Sequence, residues 1–109
     1  MIHKMRLADF AFNAIRNGNK DIEVRLYDEK RKLINIGDII EFHNIDSDEI
    51  LRVKVVNLHI YNSFYELFNA VDYKRLGFNN IEEYKIMDRF YTKEEQEKYD
   101  AVGIEIQLI

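Results

Sequence analysis

The run from Ile50 to Tyr61 constrains the fold of this chain more than any other feature. The segment is rich in Val, Leu and Ile. That is the composition of a β-strand. At about twelve residues it is roughly twice the usual strand length. A strand so long is expected to curve or bend, as the strands of a small barrel do.

The remaining segments supply shorter elements. His3, Met5 and Leu7 alternate with polar neighbours and predict a first strand. Leu7, Ala11, Ala14 and Ile15 recur at helical spacing, and Gly18 stands where a glycine commonly ends a helix, so a helix is expected over 8–17. Ile22, Val24 and Leu26 alternate with Glu23, Arg25 and Tyr27, which predicts a strand with one apolar and one functionalised face. A charged loop, Asp28 to Lys32, follows, then a Gly37-Asp38 turn, a strand over Ile39 to Phe42 and a turn over Asn44 to Asp48. Ser63 with Glu66, Asn80 with Glu83 and Thr92 with Glu95 repeat the spacing of a capping box. They predict a helix opened by Ser63 and two more near 80–90 and 93–98. Phe64, Leu67, Phe68 and Val71 mark the buried face of the first. Val102, Ile104, Ile106 and Leu108 alternate with Gly103, Glu105 and Gln107 in a final strand. The order β-α-β-β-β-α-α-α-β predicts an α+β fold in one domain, residues 1–109: a small, largely antiparallel β-barrel with helices packed at its openings. Tyr61, Tyr65, Tyr73, Tyr84, Tyr91 and Tyr99 are expected at the edge of its core.

Composition narrows the function. Cysteine is absent, so disulfides and thiolate zinc sites are excluded, and a cytoplasmic location is expected. His3, His43 and His59 show no metal-ligand spacing, and no metal or cofactor is expected. No signal peptide or membrane span is read. The net charge of −4 argues against binding nucleic acid through bulk charge. The charge is uneven, however: residues 1–35 hold eight Lys/Arg against five Asp/Glu, and residues 36–109 hold eight against fifteen. A basic face built from the first third is open to the chain.

Gly18-Asn-Lys20-Asp-Ile-Glu23-Val-Arg25 is the richest stretch chemically. Strand parity places Glu23 and Arg25 on one face, with Tyr27, and Lys20 lies in the turn that enters the strand. Arg25 offers a planar donor fork for phosphate or carbonyl oxygen. Glu23 could hold Arg25, accept from a base amine or act as a general base. Lys20 could act as a point charge or a nucleophile. Tyr27 could stack on a base, and Arg31 could face the same cleft. The same spacing also fits a solvated strand face carrying a structural ion pair.

Gly18-x-Lys20-x-x-Glu23-x-Arg25 resembles the G-x-K-x-x-E-x-R motif of ASCH domains, within the PUA-like superfamily. Arg25-Leu-Tyr-Asp-Glu-Lys-Arg31 is similar to the charged stretch that follows the motif in bacterial members. Ile36-Gly37-Asp38-Ile-Ile-Glu-Phe42 is similar to the turn and strand of that family. Ser63 to Leu67, Tyr91 to Tyr99 and Val102 to Ile106 resemble its later helices and last strand, as in a small bacterial-type stand-alone member. The resemblance implies a PUA-like barrel whose cleft is lined by Lys20, Glu23 and Arg25, with RNA or a modified nucleotide as partner. It also implies an alternative, a small hydrolase of RNA or of N4-acetylcytidine, with Lys20 as activator or nucleophile and Glu23 as acid/base. Lys20 matches the lysine of the amidohydrolase members, whereas Glu23 stands where they carry a threonine.

Overall fold

In the computed structural model, which describes residues 1–109, the strands form at Ile2–Leu7 (β1), Ile22–Tyr27 (β2), Ile39–Asn44 (β3), Ile50–Tyr61 (β4) and Asp100–Leu108 (β5). They make one sheet in the order β1-β3-β4-β5-β2. Only β1 and β3 run parallel; the other three pairings are antiparallel. The long strand does bend. β4 pairs with β3 over Ile50–Lys54 and with β5 over Val53–Tyr61, and its register shifts between Val55 and Asn57. An extra residue in a ladder increases local twist and turns the strand. The sheet therefore curls into a half-barrel, and its two edge strands, β1 and β2, share no backbone pairing.

Both faces of the curl are apolar in part, and each is covered by different helices. The inner face carries Met5, Leu7, Ile40, Phe42, Val53, Val55, Val102, Ile104 and Ile106. Helix α1 (Asp9–Arg16) closes it with Phe12 and Ile15. The back of β2 and β5 carries Ile22, Val24, Leu26 and Ala101, and helix α2 (Phe64–Ala70) covers it with Phe64, Leu67 and Phe68. Strand parity decides what this means for β2: its apolar residues face α2, so Glu23, Arg25 and Tyr27 point to the inner side.

Three helix starts were expected to close reciprocal boxes, and one does. Thr92 and Glu95 cap α3 (Lys93–Lys98) in both directions. The Ser63 hydroxyl accepts from Glu66 N–H, but the Glu66 carboxylate accepts from Asn62 N–H. Asn80 accepts from Glu82 N–H, and the segment it opens, Ile81–Arg89, is a 3₁₀ helix. Its apolar residues explain why: Ile81, Tyr84 and Met87 recur every third residue, and three per turn aligns them on one face against α2. A shorter 3₁₀ turn, Arg31–Leu33, lies where the sequence suggested only loop. Tyr61, Tyr73, Tyr84, Tyr91 and Tyr99 border the second core as expected. Tyr65 is 55% exposed and meets Tyr84 edge-on at 5.1 Å. No helix is long and apolar enough to cross a membrane.

Candidate functional site

Gly18 ends α1 in the left-handed region, with φ +81°. The N–H groups of Asn19 and Lys20 both donate to the carbonyl of Ala14, and those of Asp21 and Ile22 donate to that of Arg75. This tight exit turns Lys20 inward rather than out to solvent. Its Nζ donates to the Leu76 carbonyl at 2.5 Å and lies 3.3 Å from Glu23 Oε1. Gly77 makes room for it: at φ +89°, a Cβ there would stand 3.1 Å from Lys20 Cδ. The other Glu23 oxygen accepts from Arg25 Nε at 2.8 Å, and Arg25 Nη2 donates to the Arg6 carbonyl at 2.9 Å. A continuous polar chain thus runs from the loop behind β2, through Lys20, Glu23 and Arg25, to β1. Arg25 bridges the seam that the backbone leaves open.

The electrostatics of these linked side chains are one-sided. The Lys20 and Glu23 side chains are each 7% exposed. Burial pushes the Glu23 carboxyl up, but the charges of Lys20 and Arg25, with the hydrogen bonds they donate, outweigh it and hold the group below the usual carboxylate range. Glu23 is therefore ionised at neutral pH, with both oxygens engaged.

A groove of about 590 Å³ opens at the seam beside Arg25. Lys4 and Arg6 of β1, Arg25 of β2, Lys30 and Arg31 after it, and His43 of β3 line it; Asp48 is its one carboxylate. Arg31 is only partly exposed, with Nη1 3.6 Å from Asp28 Oδ2. So the groove joins Arg25 and Arg31, while Lys20 and Glu23 form the buried support behind Arg25. Tyr27 lies outside the groove, packed at the margin of the inner core with Lys32 Nζ 5.9 Å from its ring. Lys4, Arg6 and His43 lie outside every motif of the sequence, and Lys30 enters only as part of the charged stretch Arg25–Arg31. The signal that pointed toward three of them was the positive balance of the first 35 residues.

The family model of the ASCH domain matches residues 5–109. The chain belongs to the ASCH domain family. Solved structures agree over the whole domain. The crystal structure of hypothetical protein PH0355 is 39% identical with a TM-score of 0.88, covering 100% of each chain. The solution structure of protein PF0455 from Pyrococcus furiosus is 37% identical with a TM-score of 0.80, covering 100% of this chain and 98% of that one. The ASCH protein from Zymomonas mobilis shares the fold at 17% identity, with a TM-score of 0.69 over 97% of this chain and 66% of its own. No match was found among curated proteins. In this ASCH domain, the three charged positions of the motif are consecutive links of one chain of ion pairs.

Proposed function

We propose that this ASCH domain binds RNA, or a modified nucleotide, in the basic groove at the β1–β2 seam. The observation that carries the reading is a single concave site lined by five Lys/Arg, one His and one Asp, in a protein of net charge −4. In such a protein, bulk charge repels a polyanion, so a local concentration of cations is what attracts phosphate. Arg25 presents its guanidinium to the groove while Glu23 and the Arg6 carbonyl fix its orientation. A preorganised fork of this kind suits phosphate and carbonyl oxygen. Lys20 acts one step behind, holding Glu23.

Fluorescence anisotropy with a labelled single-stranded RNA, titrated at several salt concentrations, tests the reading. Lys30→Ala with Arg31→Ala should weaken binding and flatten the salt slope by about 0.7 for each phosphate no longer neutralised. Unchanged affinity and slope would refute the site. The hydrolytic alternative assigns chemistry to Lys20 and Glu23, yet both are buried and committed to partners, and an ionised, doubly paired Glu23 is a poor proton acceptor. Turnover of N4-acetylcytidine or RNA by the wild type, abolished in Lys20→Ala, would reverse that ranking.

A further inference from the structure

The helices cover the back of β2 and β5 but leave the outer face of β1, β3 and the first half of β4 bare. Register fixes what stands there. Lys4 is opposite Glu41, which is opposite Arg52; Arg6 is opposite His43, which is opposite Ile50; Ile2 is opposite Ile39, which is opposite Lys54. Lys4, Arg6, Arg52 and Lys54 are all exposed. Glu41, the only carboxylate in these rows, is buried to 7% exposure. It is occupied by His43 Nε2 at 2.9 Å and Arg52 Nε at 3.1 Å. The charge that reaches solvent from this face is therefore positive.

Two of these cations, Lys4 and Arg6, also line the groove, and so does His43. Arg52 and Lys54 lie two strands further on, about 10 Å away at the usual strand spacing. The groove and the bare face thus form one surface with exposed cations on β1 and again on β4, Glu41 between them being occupied by His43 and Arg52, and it extends beyond the reach of one nucleotide. Resting on the proposed groove, we infer that an RNA single strand leaves the groove over β1 and crosses β3 to β4, so that the ligand is an oligonucleotide of several residues rather than a free nucleotide. Single strands are commonly followed in this way, by a charged path along their backbone. Nothing in the ASCH motif reports the second half of this path, because Arg52 and Lys54 lie outside it, on β4.

The test compares a mononucleotide with a ten-residue single-stranded RNA, using wild type, the groove variant Lys30→Ala/Arg31→Ala and the face variant Arg52→Ala/Lys54→Ala. Lys54→Glu serves as a second face variant, because it leaves the Arg52–Glu41 pair intact. The groove variant should weaken both ligands. The face variants should weaken the long RNA about tenfold, reducing its salt slope by about 0.7 per cation removed, and leave the mononucleotide unchanged. If the face variants bind the long RNA like wild type while the groove variant fails, the track is refuted and the groove stands. If the groove variant binds both ligands normally, the groove itself is refuted, and the track with it.

Discussion

Glu23 is the residue on which the site turns. Its two oxygens are divided between Lys20 and Arg25, and it has almost no access to water. Glu23→Gln would leave two cations facing a neutral amide in a dry setting, and removing one partner of a buried charge set costs about 3–5 kcal/mol. Urea unfolding should register a loss of that size. Acid should act through the same group. Its folded pKa lies below the ordinary carboxylate value of 4.5, so the unfolded chain binds more protons there. Its contribution is full above that value and is lost as pH falls through the folded pKa. Thermal melts from pH 7 downward should show wild type losing stability below about pH 4.5 and Glu23→Gln losing less. The Glu23–Arg25 contact was legible in the sequence, because parity on a strand puts i and i+2 on one face. The Leu76 carbonyl that accepts from Lys20 was not: it lies 56 residues away, and a carbonyl leaves no mark in composition.

Among the elements, β5 and α2 are held closest at Gly103. A Cβ there would lie 2.9 Å from Ile22 Cγ2 and 3.2 Å from Leu67 Cδ1. Gly103→Ala must push α2 from the sheet or distort β2, and overpacking of this kind costs about 1–3 kcal/mol. Differential scanning calorimetry should show the loss, with α2 amides exchanging faster. The one closed capping box gives a smaller effect: Thr92→Ala should cost about 1 kcal/mol, read by chemical denaturation. Strand positions were legible because period-two alternation is local. The type of the Ile81–Arg89 helix was not read, although Ile81, Tyr84 and Met87 carry a period of three. The capping signal at Asn80 marks where a helix starts, and only that apolar period distinguishes the tighter winding.

For the whole molecule, the decisive fact is the order of strands. Parallel pairing of β1 with β3 brings Lys4 and Arg6 beside His43 and places β1 across from β2. No sequence pattern states which strands are neighbours, so the basic groove could be anticipated as a charge imbalance but not located. The seam also predicts a mechanical role for Arg25. Arg25→Met removes both the bond to Glu23 and the bond to the Arg6 carbonyl, and charged hydrogen bonds contribute about 1.5–3 kcal/mol each. Hydrogen exchange should then quicken in β1 and β2 more than in β4, the central strand.

The open seam has one more consequence. A strand edge with free N–H and C=O groups is a template for other chains, and charged side chains along it discourage such pairing. Here both edges of the sheet face each other, with Lys4, Arg6, Lys30 and Arg31 set around the gap. The cations proposed to attract RNA are placed to keep a second copy of the protein away. Replacing Lys4, Lys30 and Arg31 together with alanine should therefore raise self-association in light scattering as concentration increases, even while the monomer remains folded.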